Sequence, residues 1–131
     1  MRRQFDLSET DIQFLDDYGL DWEAISDGSK WVLIYRFPTG DGYNHAEVTA
    51  AIRISAGYPI EQLDMVYFNP PLARKDGRPI ARTETVQTID GKPFQQWSRH
   101  RTAQNPWKPG FDCLETQVQL IEDWLQREFE R

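Results

Sequence analysis

The stretch Trp31-Val32-Leu33-Ile34-Tyr35-Arg36-Phe37 alternates Trp31, Leu33, Tyr35 and Phe37 on one side with Val32 and Ile34 on the other. A period of two is the strand period, and apolar residues on both parities predict a strand covered on both faces. Working outward, Asp27-Gly28 precedes it as a turn signal and Pro38 to Gly42 follows as another. Trp22 to Ile25 reads as an earlier strand. His45 to Ile54, with Val48, Ala50, Ile52 and Ile54 in alternation, reads as a later one. Gly57-Tyr58-Pro59 breaks the pattern, and Asp64 to Phe68 makes a fourth strand that Asn69-Pro70-Pro71 stops.

Helices flank this meander. Ser8 and Asp11 form a capping pair, Ile12 and Leu15 give a short apolar face, and Gly19 is a stop signal. At the other end Asp112 and Glu115 have the capping-box spacing. Leu114, Val118, Ile121, Leu125 and Phe129 then recur at helical intervals, with Leu120 and Trp124 widening the stripe. A helix from Cys113 to Phe129 is expected, its Leu114, Val118, Ile121 and Leu125 facing the sheet. Leu72 to Pro106 shows little periodicity and carries Gly77, Pro79, Gly91 and Pro93. So long a stretch in a compact domain points to a functional flap, about residues 72–106. With strand and helix runs separated, the layout is α+β, as one domain over residues 1–131.

Composition narrows the function classes. An apolar share of 39 % with five Trp, five Tyr and seven Phe is enough for one core. The net charge is −6, and the one candidate basic run, Arg99-His100-Arg101, is too short to track a phosphate backbone. No nucleic-acid partner is expected. The single cysteine, Cys113, excludes an internal disulfide and a cysteine-rich metal site. No apolar run resembles a signal peptide or a membrane span, so no membrane partner and a cytoplasmic location are expected. Neither cofactor nor metal is expected; His45 reads as a solvated residue at a strand start.

The order of these pieces resembles the ubiquitin-conjugating (UBC) family. That family has a short helix, a four-stranded antiparallel meander, a Tyr-Pro after the third strand, an active-site flap, a Trp-x-Pro and then a helix. Here Tyr58-Pro59 and Trp107-Lys108-Pro109 stand at those places, and the likeness covers roughly residues 20 to 127. Gly42-Tyr43-Asn44, Gly57-Tyr58-Pro59 and Trp97-Ser98-Arg99-His100 are similar to a bacterial branch found beside ubiquitin-like proteins and ThiF-type activating enzymes. The His-Pro-Asn tripeptide of the eukaryotic enzymes is absent, with Phe68-Asn69-Pro70-Pro71 nearby. The family's last two helices have no counterpart in this sequence.

In the family the nucleophilic cysteine lies roughly eight residues before the tryptophan of Trp-x-Pro. Counting back from Trp107 reaches Arg99 and Ser98, so the resemblance puts Ser98 at the catalytic place, with Cys113 on the far side of Trp107. A serine needs a base, and His100 two residues on would share its face in an extended segment. Arg99, which the count from Trp107 also reaches, is the third catalytic candidate, although in an extended segment it would point away; Arg101 or a backbone N–H would stabilise an oxyanion. Asp90 and Asp112 are the orienting carboxylates in view. Cys113, at a helix N-terminus, is the alternative nucleophile. The resemblance implies a conjugating enzyme that takes a bacterial ubiquitin-like protein from its activating enzyme, as an oxyester on Ser98, and hands it to a target. It further implies a JAB-type or other deconjugating protease as a partner, and an antiviral defence pathway. The alternatives are an inactive adaptor of the same fold and a peptide-binding α+β domain unrelated to ubiquitin. Trp97 and Trp107 read as packing residues that pin the flap.

Overall fold

The structure is a computed structural model and describes residues 1–130. Helix α1 (Glu9–Tyr18) starts where Ser8 Oγ accepts the Asp11 N–H at 3.2 Å, and ends at Gly19, whose φ of 86° only glycine adopts without cost. Strands β1 (Trp22–Asp27), β2 (Ser29–Pro38), β3 (Glu47–Ile54) and β4 (Val66–Asn69) follow as an antiparallel meander. The sheet is larger than the four strands expected. Two more, β5 (Val86–Ile89) and β6 (Lys92–Trp97), form a hairpin inside the stretch read as an irregular flap. The strand order is β1-β2-β3-β4-β6-β5, every neighbouring pair antiparallel. Helix α2 (Leu114–Arg127) and a short 3-10 turn (Glu128–Glu130) complete the chain.

Strand β2 buries both faces, but not in the expected grouping. Val32 and Ile34 face α1 and α2; Trp31 and Leu33 face the other way. Between Ile34 and Phe37 the register shifts at a bulge, with Arg36 at φ 57°. The extra residue flips the parity, so Phe37 joins Val32 and Ile34 instead of Trp31.

The helix-covered core joins Val32, Ile34, Ile52, Phe68 and Trp97 to Leu15, Leu114, Val118, Ile121 and Leu125. The opposite face is also covered. Ile89 and Phe94 from the β5–β6 hairpin close over Ile25, Trp31, Leu33 and Tyr67. The hairpin tip reaches back to the first strand, where the Asp90 N–H donates to Asp27 Oδ2 at 2.7 Å.

The α2 N-terminus lies one residue later than the Asp112–Glu115 pattern implied. Cys113 is the N-cap, and Thr116 Oγ1 accepts the Cys113 N–H at 3.0 Å. Asp112 instead accepts the Lys108 N–H at 2.7 Å, closing the turn that leads into the helix. Phe129 lies beyond the helix, in the 3-10 turn, partly exposed and against Gly42. Among the described residues no helix is long and apolar enough to cross a membrane.

Candidate active site in the flap

Pairing of β6 with β4 builds the site. Trp97 stands opposite Val66, so the chain leaving β6 runs back along the residues preceding β4. That register carries Ser98, Arg99 and His100 past Met65 and Asp64. Trp97 is fully buried and anchors the exit, while the Ser98 N–H donates to Arg82 O at 3.0 Å. The α2 helix steadies the facing segment, since Gln117 Nε2 donates to Met65 O at 3.3 Å.

The side chains then meet. Ser98 Oγ lies 3.3 Å from His100 Nε2. The other ring nitrogen, Nδ1, lies 2.9 Å from Asp64 Oδ1 and 3.2 Å from Oδ2. A hydroxyl, an imidazole and a carboxylate thus stand in line. When the carboxylate accepts from Nδ1–H, Nε2 is left as the acceptor for the serine proton. The serine–histidine spacing is long for a hydrogen bond, as is common before a reacting partner closes the geometry. The imidazole is about half exposed, at 52 %. Ser98 is partly buried. A groove of about 380 Å³ opens beside His100, and a smaller one of about 200 Å³ runs up to Asp64.

The carboxylate that meets His100 is therefore neither Asp90 nor Asp112. Asp90 pairs with Arg2 at 2.7 Å, and Asp112 is used by Lys108 and Arg101. The signal for Asp64 is a long-range one: it comes into view once β6 is paired with β4, because it precedes Val66 by two residues.

The arginines flanking the histidine turn inward. Arg99 lies over the Trp97 ring at 4.9 Å, donates to Ala81 O at 2.9 Å and approaches Glu128 at 3.4 Å. Arg101 lies over Trp107 at 4.9 Å and reaches Asp112 and Gln117. Both are largely buried, so their charge is held in the scaffold. Cys113 lies elsewhere, half-buried in a cavity of about 450 Å³ with Ser8, Tyr58 and Phe111.

Two sequence motifs come together behind the flap. Trp107 Nε1 donates to Pro59 O at 3.0 Å, and the Trp107 and Tyr58 rings lie 6.2 Å apart. The Tyr58 hydroxyl accepts the Leu114 N–H at 2.9 Å and donates to Asp11 Oδ2 at 2.7 Å. It caps α2 and ties it to α1 in one contact; burial and the Asp11 hydrogen bond push its own pKa well up. The Tyr-Pro and Trp-x-Pro pairs are thus a joint that fixes where the flap ends.

Residues 7–128 match the family model described as prokaryotic E2 family E. The chain belongs to that family. No curated protein and no solved structure matches it. In this prokaryotic E2 the Gly42-Tyr43-Asn44 motif has a physical role. A Cβ on Gly42 would lie 2.6 Å from the Phe129 ring. The Tyr43 hydroxyl donates to Leu125 O at 2.6 Å, satisfying a carbonyl at the end of α2. Asn44 Oδ1 accepts the Ala73 N–H at 2.8 Å, pinning the start of the flap. In the E2 chain Asn69 also serves the scaffold, donating to Pro93 O at 2.7 Å.

Proposed function

We propose that this prokaryotic E2 accepts the C-terminal acyl group of a bacterial ubiquitin-like protein from a ThiF-type activating enzyme, as an oxyester on Ser98, and passes it to a target protein in the cytoplasm. The observation that carries the reading is the line Ser98–His100–Asp64, at 3.3 Å and 2.9 Å, in the flap beyond β6. Family membership supports a conjugating role in general. Serine is a weak nucleophile unless a base takes its proton, and here an imidazole with an oriented second nitrogen stands beside it. As Ser98 Oγ bonds to the acyl carbon, its proton moves to His100 Nε2. The bond to the activating enzyme's sulfur breaks, and His100 returns the proton to that thiolate. In the second half the target nucleophile bonds to the acyl carbon as His100 takes its proton, the bond to Ser98 Oγ breaks, and His100 returns the proton to the serine oxygen. A JAB-type deconjugating protease and an antiviral defence role belong to the same reading.

The test mixes the protein with a cognate activating enzyme, ubiquitin-like protein and ATP. The expected adduct survives reductant, is cleaved by base, is lost with Ser98→Ala and persists with Cys113→Ala. An adduct that reductant cleaves and that Cys113→Ala removes would move the chemistry to the helix N-terminus. No adduct under any condition would leave the protein a non-catalytic adaptor.

A further inference from the structure

We propose that this chain is also a slow serine esterase in its own right, acting on small uncharged esters through Ser98 and His100 with Asp64 as the positioning residue. The inference rests on the Ser98 half of the reading above, but needs neither the ubiquitin-like protein nor the activating enzyme. Conjugation asks that acyl-Ser98 form and then wait for a partner. Nothing in the geometry restricts either event to a protein tail. Ser98 is partly exposed, His100 is half exposed, and Asp64 has a side-chain exposure of 38 %. A small ester can reach the hydroxyl, and water can reach the ester that forms.

Ser98 stands outside the groove beside His100, so the ester carbonyl would sit at the open flap surface and one of its substituents would reach past the imidazole into the groove. At about 380 Å³ it is large enough for a short acyl chain or an aryl leaving group. Leu120 and Trp124 form an apolar wall, with Thr102 and Asn105 as polar lining. Arg99, Arg101, Asp123 and Arg127 also line it, with the arginines paired to Glu128, Asp112 and Asp123, so the charges there are matched and an uncharged ester suits it.

The reaction balances without a further reactant. Ser98 Oγ bonds to the carbonyl carbon as its proton passes to His100 Nε2, and the alcohol or phenol leaves with that proton. Water then adds to acyl-Ser98, giving a proton to His100. The bond to Ser98 Oγ breaks, the proton returns to the serine oxygen, and a carboxylic acid departs. The sum is one ester and one water giving one acid and one alcohol. Asp64 touches no reacting atom; it holds His100 so that Nε2 faces the serine. Turnover is slow because the guanidiniums of Arg99 and Arg101 are engaged with Glu128, Asp112 and Gln117. Neither guanidinium is therefore spare for an oxyanion, and losing one such donor costs roughly 10²–10³-fold in rate.

The experiment uses the purified chain alone with two probes, p-nitrophenyl acetate for turnover and a fluorophosphonate for covalent capture, read by intact mass and peptide mapping. One phosphonyl group is expected on Ser98, with turnover of the acetate, and both should vanish with Ser98→Ala and with His100→Gln. Asp64→Asn should lower kcat by about tenfold or more with KM unchanged, and Asp64→Glu should recover part of it. Circular dichroism and melting of each variant separate lost chemistry from lost folding. Label or turnover that persists in both Ser98→Ala and His100→Gln overturns the proposal. If the conjugation adduct forms on Ser98 while the small esters are untouched, the esterase inference fails alone. If both assays are blank, Ser98 is not a nucleophile and the two readings fall together.

Discussion

A serine hydroxyl and a cysteine thiol ask different things of a neighbouring imidazole. The hydroxyl stays protonated throughout the neutral range and must lose its proton during attack, whereas a thiol is already partly ionised. At position 98 the hydroxyl lies 3.3 Å from His100 Nε2, so the base and the nucleophile should be strongly coupled. His100→Ala should slow loading of Ser98 by about a hundredfold, in line with general-base contributions of 10²–10⁴. In a Ser98→Cys background the same His100 change should slow loading less than about tenfold. The measurement is a single-turnover loading rate in all four proteins. Equal losses in the two backgrounds would mean that His100 shapes the flap and does not take the proton.

At the scale of elements, α2 and the Gly42-Tyr43-Asn44 motif carry separate predictions. Ile121 is fully buried on the helix face that covers the sheet, so Ile121→Ala should cost about 2–5 kcal/mol in urea unfolding. Gly42 has φ 96° and the Phe129 ring against it, so Gly42→Ala should destabilise by about 1–3 kcal/mol. If Gly42→Ala is neutral, the Phe129 contact contributes nothing. The α2 face was legible because its apolar residues recur at helical intervals with no tertiary help. The β5–β6 hairpin is not legible in the alternation, although Asp90-Gly91 is a strong hairpin turn and both residues adopt positive φ, 54° and 74°. Its strands hide the period: Val86, Gln87 and Thr88 are exposed, and only Ile89, Phe94 and Trp97 are buried. The same gap concealed Asp64. Ser98 and His100 can be paired by local spacing alone, but Asp64 meets His100 across 36 residues through the β4–β6 pairing. The bulge at Arg36 escaped for a related reason, since two residues opposing one leaves no mark in the alternation before Phe37.

Across the whole molecule, the sheet is closed by a charged clasp far from Ser98. Arg2 bonds Glu23 at 2.9 Å and Asp90 at 2.7 Å, joining β1 to the tip of the β5–β6 hairpin at the opposite edge of the sheet. The Tyr35 hydroxyl donates to Glu23 as well. The Arg2 hydrogen bonds hold the Glu23 carboxyl down at about 2, against 4.5 for an ordinary glutamate, and they lower Asp90 too. Burial, and then the Glu23 bond, push Tyr35 up to about 12 from 10.0. Each shift has a sign in stability. A depressed carboxylate contributes fully above pH 4.5 and loses its contribution as pH falls toward 2. A raised phenol contributes fully below pH 10.0 and loses its contribution as pH rises toward 12. The clasp is therefore complete between those limits. Because it holds the hairpin that delivers Ser98, its loss in acid should loosen the flap before the α2 face unpacks. Urea unfolding from pH 7 down to pH 2 should show the wild type losing stability below pH 4.5. Glu23→Gln should be less stable than wild type at pH 7, and the gap between the two should narrow as pH falls through the interval from 4.5 to 2. A gap that stays constant through that interval would show that Glu23 carries no folding-linked proton, and the clasp would then contribute little to stability.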